Sequence, residues 1–340
     1  MIKVLEKNKI YSKFIKKATA KNKLLKVQID VIHDCNAACI FCLQGNEPPA
    51  NKNYLTLAEM KKLLRRLKRM GVFHVGFSGG EPFMRKDFVE ILNYASRCGF
   101  MVSAVTNLHV ANQNSLMEIS QIPDLRLLVS FHSQNPDNYR KHFGLKSDIF
   151  FETLEKIKYL LGSNVSVGIA VTVTKYNISE LGDIKDFFIK MGMQSKDINF
   201  NFLKSGKIDI LNLRPSLNDV KNLLESRPDI TNEFKKINNK SFLCSAGRIS
   251  CTISPHGDVF PCGFMNDSAG NVKNCDIETI WNNSHFFKFI RSIKEENFTK
   301  CSLCEIRSKC DVCMGSNLQS TGNFSVALDE DCLLRKAFLN

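Results

Sequence analysis

Apolar and polar positions along residues 26–203 fall into two rhythms that take turns, one strand-like and one helix-like. Residues 26–32 read as a strand. Thr56 then opens a helix, with Glu59 three residues on as in a capping box. Leu57, Met60, Leu64 and Leu67 form its apolar face, and Gly71 closes it. Residues 72–78 read as a strand and 88–98 as a helix ended by Gly99. Strands follow at 101–106 and 125–131, then a helix at 150–161 with Phe151, Leu154, Ile157 and Leu161 inward. The β-branched run 166–173 is a strand, 179–191 a helix, and 198–203 the last strand of the series.

About six strands alternating with helices imply an α/β fold with a parallel sheet. Six units are too few for a complete eight-fold barrel, so a partial (β/α)6 barrel is expected, with its chemistry at the carboxyl ends of the strands. Residues 1–24 form a basic arm, 25–214 the barrel and 215–243 a helical linker. Residues 244–335 hold most of the cysteines, with short loops and a single short helix around 277–283. A segment with so little hydrophobic pattern needs another source of stability, which bound metal supplies.

Composition sharpens this. Of 340 residues, 44% are hydrophobic and 24% charged, the balance of a folded globular chain. No stretch reaches the roughly 20 apolar residues that span a bilayer. The N-terminus lacks the apolar core of a secretion signal, so a cytoplasmic location is expected. In a reducing compartment, 13 cysteines point to metal or redox chemistry rather than disulfides. The formal charge is +13, and nine lysines lie before residue 27. That arm is a solvated basic segment or a docking site for an acidic partner. No nucleic-acid-reading motif is visible.

The cysteines fall into two constellations. Cys35-x3-Cys39-x2-Cys42 lies on the loop after the first strand. Three thiolates at this spacing can wrap one 4Fe–4S cube and leave one iron open to a small molecule. A zinc site completed by His33 is the alternative. The second constellation is Cys244, Cys251, Cys262, the run Cys301-x2-Cys304-x5-Cys310-x2-Cys313, and Cys332. Eight thiols suffice for two fully ligated 4Fe–4S clusters, or for two zinc sites of four.

At this point the sequence resembles the radical SAM superfamily. Its signature is the CxxxCxxC loop after the first strand, with an aromatic residue, here Phe41, before the last cysteine. Ser78-Gly79-Gly80-Glu81-Pro82 is similar to the family's GGEP segment; Thr106-Asn107 and Ser130 end the next two strands. Val167-Gly168-Ile169 falls where that family contacts adenine. The resemblance covers about residues 25–205. It implies that Cys35, Cys39 and Cys42 hold a cluster that chelates S-adenosylmethionine and cleaves it to a 5′-deoxyadenosyl radical. By the same resemblance Phe41, Gly79, Gly80, Glu81, Pro82, Asn107, Ser130 and Ile169 bind that cofactor. The two glycines would let backbone approach its methionine end, and Glu81 suits its ammonium.

The C-terminal half resembles the SPASM extension of such enzymes. Residues 255–262, Gly270-Asn271 and Ile280-Trp281 match its landmarks. The resemblance implies a nearer auxiliary cluster on Cys244, Cys251, Cys262 and Cys313, and a farther one on Cys301, Cys304, Cys310 and Cys332. The family often has three residues between the last two cysteines of the run; here there are two, so the split around Cys310 and Cys313 stays open. Cys98, in helical register with Phe88, Ile91 and Ala95, reads as a buried core thiol. Cys275 reads as a bystander, an alternate ligand or a hydrogen donor.

Extra clusters can carry away the electron left on a substrate radical, which favours oxidative chemistry. Members of this type mostly modify peptides or proteins, by dehydrogenation or cross-linking, and draw electrons from a flavodoxin or ferredoxin. The alternative is a small-molecule dehydrogenase or epimerase acting on a sugar or amino-sugar, and a third is a non-enzymatic metal-binding protein. Only about 25 residues precede the first strand, so an N-terminal leader-binding domain is not expected. Gly263 after Cys262, where sulfatase-maturing members have aspartate, argues against that activity. No general base or hydrogen donor is assigned. His33, His109, His132, His142 and Lys204 are candidates by position near strand ends, and His132 is expected to face the cavity.

Overall fold

The computed structural model describes residues 13–45, 51–147, 149–204, 211–230, 243–308, 310 and 312–339. Six parallel strands follow one another through the first 202 residues: β1 (Lys26–Asp30), β2 (His74–Ser78), β3 (Met101–Thr106), β4 (Arg126–Ser130), β5 (Ser166–Val173) and β6 (Ile198–Phe202). The expected α/β order is therefore present, with strand ends shifted by up to two residues. Two further strands were not anticipated. β7 (Ser250–Ile253) pairs parallel with β1, and β8 (Val259–Phe260) pairs antiparallel with β7. The result is one open eight-stranded sheet in the order β6-β5-β4-β3-β2-β1-β7-β8. The C-terminal half thus shares a sheet with the first half.

Capping explains several helix starts. Thr56 and Glu59 exchange hydrogen bonds at the head of helix Leu57–Arg69. Ser216 and Asp219 do the same for Leu217–Ser226 within the expected linker, of which residues 231–242 lie outside the described residues. Burial corrects two helix faces. Met60, Leu63, Leu64 and Leu67 are buried on Leu57–Arg69, whereas Leu57 is only half-buried. On Phe150–Leu161 the inward residues are Phe150, Leu154, Ile157 and Leu160, while Phe151 is 65% exposed and Leu161 half-buried. Phe150 wins the core position because its ring meets Phe131 and Tyr139, centroids 5.6 and 5.3 Å away. Helix 179–191 begins instead with a 3-10 turn, Ile178–Glu180, before Leu181–Lys190.

Gln113–Ile119 and Pro136–Phe143 are further helices, capped by Asn112 and Asn135. In the cysteine-rich half, Ile277–Asn283 is not alone: His285–Ser292, Met314–Thr321 and Asp329–Leu339 are also helical. Trp281 joins the halves. Its ring is buried, its Nε1–H donates to the Asn22 carbonyl at 2.6 Å, and the Arg291 guanidinium lies over it at 4.3 Å. Among the described residues, no helix is long and apolar enough to cross a membrane.

Candidate active site and thiol clusters

Parallel strands place all their carboxyl ends on one edge. A cavity of about 770 Å³ opens there. Ser78, Thr106, Ser130 and Phe202 reach it from the ends of β2, β3, β4 and β6. Cys35, Cys39 and Cys42 stand on its wall, and all 13 cysteines of the chain are free thiols. Burial, with Cys42 and Cys35 beside it, pushes the Cys39 thiol up to about 12. Cys39 is therefore protonated when alone and must release its proton to a metal.

Backbone contacts hold the loop. Ala38 N–H donates to the Phe143 carbonyl at 2.8 Å and Ile40 N–H to that of His142 at 3.1 Å. Helix Pro136–Phe143, missed by periodicity, is therefore the loop's platform. Gly144 follows it at φ +60°, where a Cβ would stand 2.3 Å from the Ala38 carbonyl oxygen. On the other side the Gly79–Pro82 turn presses on the same loop. Gly80 N–H donates to Ile32 O at 2.7 Å and Glu81 N–H to Asp34 O at 2.9 Å. A Cβ on Gly79 would meet Ile32 O at 2.2 Å, and one on Gly80 would meet Asp34 O at 2.2 Å. The glycines thus admit the neighbouring chain as it leaves β1.

Glu81 is fully buried, and the surrounding protein engages both its carboxylate oxygens. It accepts from Thr106 Oγ1 at 2.6 Å, from Asn107 N–H at 2.7 Å and from Phe83 N–H at 3.1 Å. Burial raises its pKa to about 7 against those donors. Asn107 extends the network. Its Nδ2 donates to Asn36 Oδ1 at 3.0 Å, and Asn36 Nδ2 lies 3.3 Å from His109 Nδ1. His109 Nε2 meets the Tyr139 hydroxyl at 2.7 Å, and burial lowers its pKa to about 3. His109 is thereby a neutral support for the residue beside Cys35.

Phe41, Gly79, Gly80, Glu81, Asn107 and Ser130 all line the cavity. Two cofactor candidates do not: Pro82 is buried at the start of the turn Pro82–Met84, and Ile169 is buried within β5. His132 does face the cavity. Its Nδ1 accepts from Thr172 N–H at 3.1 Å, and its ring meets Phe41 edge-on at 4.8 Å. Burial holds its pKa well below the usual value. His33 lines the cavity with its ring against His256 at 5.3 Å. His142 is buried, between the Asn138 carbonyl at 2.7 Å and Thr174 Oγ1 at 2.9 Å. Thr172, Phe264, Leu334 and Arg335 also line the cavity; no motif marked them, and only the tertiary fold brings them there.

The C-terminal thiols surround their own space. A cavity of about 50 Å³ is walled by Cys301, Cys304, Cys310, Cys313 and Cys332. Cys244, Cys262 and Cys313 interact electrostatically, and burial pushes Cys262 up to about 12. Cys251 does not join them. It is fully buried in β7 opposite Val27, in the main core, and the charge that acts on it is Arg291. The nearer set therefore brings together three of its four expected thiols. Cys98 is half-buried at the end of helix Phe88–Arg97, and Cys275 is exposed. Among the described residues no three His, Cys, Asp or Glu side chains converge as one bare ion requires. Thiols spaced around a void are instead the donor set of an iron–sulfur cluster.

Family models agree. The radical SAM superfamily model matches residues 29–188, and the SPASM iron–sulfur cluster-binding domain model matches residues 244–311. The chain is a radical SAM enzyme with a C-terminal SPASM domain. Its cofactors are 4Fe–4S clusters and S-adenosylmethionine. The chain is 24% identical, over 332 residues, to an AdoMet-dependent heme synthase of Methanosarcina barkeri, covering 88% of this chain and 94% of that one. It is 24% identical to the PqqA peptide cyclase of Bradyrhizobium diazoefficiens over 83% of this chain and 79% of that one. Among solved structures, Streptococcus suis SuiB bound to S-adenosylmethionine superposes with a TM-score of 0.73 at 18% identity, over 92% of this chain and 77% of that one.

Proposed function

We propose that this radical SAM enzyme oxidatively modifies a peptide or protein, by dehydrogenation or cross-linking. One arrangement carries the reading. The cavity that holds the Cys35 loop adjoins the cavity walled by C-terminal thiols, with Lys204, Asp331 and Arg335 lining both. A substrate group in the first cavity would lie between a radical source and an electron acceptor, which suits net oxidation. Loaded at those thiols, the clusters and S-adenosylmethionine supply the radical and the electron transfer. The chain's own part is positional: Glu81, Asn107 and His109 hold the Cys35 loop, and Phe41, Phe143 and His132 wall the cavity with mostly apolar surface.

A peptide substrate is supported by the PqqA peptide cyclase relative and by the fold shared with SuiB, also solved bound to the precursor peptide SuiA. A small ferredoxin or flavodoxin in the cytoplasm fits as electron donor for a chain of free thiols. The heme synthase relative, matched over nearly its whole length, supports a second reading with a small-molecule substrate.

The test is anaerobic turnover with dithionite. Candidate peptides encoded beside the gene and a panel of small molecules are each incubated with the reconstituted enzyme. Chromatography then measures 5′-deoxyadenosine, and mass spectrometry looks for loss of hydrogen. Oxidation of a small molecule, with every neighbouring peptide left intact, would sink the peptide reading.

A further inference from the structure

Two cavities meet at the C-terminal helix, Asp329–Leu339. Asp331 and Arg335 stand one turn apart on it, with Cys332 between them in sequence. Asp331 pairs with Arg214 at 2.7 Å, with both side chains largely buried, so its charge is balanced on the spot. Arg335 reaches a thiol. Its Nη1 donates to Cys310 Sγ at 3.6 Å, within reach of a large sulfur acceptor. Lys300, Arg307 and Lys336, nearby, pair with Asp329, Glu295 and Glu305.

A neutral thiol is a weak acceptor and gains little from a guanidinium. A metal-bound thiolate gains a charge-assisted bond. The contact therefore matters most when Cys310 ligates a cluster. Hydrogen bonds to sulfur and nearby positive charge both stabilise the reduced, more negative cluster over the oxidised one, and so raise its potential. A half-buried guanidinium is also poorly screened by salt.

We propose that Arg335 is a positioning residue that raises the reduction potential of the auxiliary cluster at Cys301, Cys304, Cys310 and Cys332. It acts through its bond to the Cys310 sulfur. The same side chain lines the large cavity, as Lys204 and Asp331 do. The inference rests on the iron–sulfur content of the SPASM domain and on Cys310 as a ligand of this cluster, and does not depend on the nature of the substrate.

The test is an anaerobic redox titration of reconstituted holoenzyme, followed by electron paramagnetic resonance, on wild type, Arg335→Gln and Arg335→Lys. Iron is quantified in each. At a fixed applied potential, the reduced-to-oxidised ratio of this cluster should fall about tenfold in Arg335→Gln, which is about 59 mV for a one-electron couple. Arg335→Lys should fall less, because it keeps the charge but loses the planar fork. The cluster at Cys35, Cys39 and Cys42 should not move and serves as the internal reference. Equal potentials in all three proteins at full iron content overturn the proposal. If Arg335→Gln loses this cluster's iron, Arg335→Lys decides. A retained cluster with a lowered potential supports the proposal, and a retained cluster at the wild-type potential overturns it.

Discussion

Four glycines separate the two reasons a position refuses a side chain. Gly263 has open space and ordinary backbone, so Gly263→Ala should change stability by less than about 0.5 kcal/mol. Gly45 has open space but φ +80°, so alanine there meets only backbone strain, about 1–2 kcal/mol. Gly80 has no such φ, yet a Cβ would stand 2.2 Å from Asp34 O and 2.4 Å from His33 O. Both are main-chain atoms of the loop leading to Cys35, so relief requires that loop to move, at about 1–3 kcal/mol or more. Gly79 combines φ +138° with a 2.2 Å approach to Ile32 O, for roughly 2–5 kcal/mol in sum. Anaerobic thermal denaturation of the four holoproteins should rank them in that order. The spectrum should split them differently. Gly79→Ala and Gly80→Ala shift the Cys35 loop and should alter or abolish the resonance of its cluster and the change S-adenosylmethionine makes to it. Gly263→Ala should leave both intact. A Gly80→Ala enzyme with wild-type melting, iron content and S-adenosylmethionine response would refute the claim that the two loops interlock through bare backbone.

Further outcomes follow from other sites. Reconstituted Cys251→Ala should hold the same iron as wild type, about 12 atoms for three cubes, while Cys262→Ala should hold about four fewer; equal losses in both would restore Cys251 as a ligand. Burial raises the folded pKa of Glu81 from 4.5 to about 7, so the folded state holds that proton more tightly than the unfolded chain does. Stability from this group is therefore full below pH 4.5 and lost as pH rises to about 7, in total on the order of 3 kcal/mol. Melting temperature should fall from pH 6 to 7 and then level off, and Glu81→Gln should flatten that slope; parallel curves for the two proteins would contradict it. Cys304→Ala, if folded by circular dichroism, should still form 5′-deoxyadenosine with substrate but little oxidised product, and normal product yield would show that the farther cluster is not an obligatory acceptor. Trp281→Phe removes the bond to the Asn22 carbonyl and should lower stability by about 1–2 kcal/mol, read as a lower melting temperature at unchanged iron content.

Much of this protein is legible one segment at a time. The capping box of Thr56 and Glu59, the β-branched run ending at Val173 and the thiol spacing of Cys35, Cys39 and Cys42 are local features, set by contacts within a few residues. The strand and helix order, and hence which loops share an edge, follows from them. Short elements were not legible in this way. β7 is four residues long and β8 two, and strands that short exist because β1 offers β7 a partner and β7 in turn offers one to β8. Helix Asp329–Leu339 carries its charges where a neighbour and a thiol need them, so its apolar pattern is weak. Periodicity does not fix the face of Phe150–Leu161, because Phe150 and Phe151 are chemically equal and the rings of Phe131 and Tyr139 decide which turns inward. The thiols show the same division. Counting alone makes Cys251 one of eight equivalents, but pairing β7 to β1 buries it in the main core, away from Cys244, Cys262 and Cys313. Spacing along a chain says which residues can share a site. Which of them do is decided by where strands hundreds of residues apart come together, and local pattern carries no record of that.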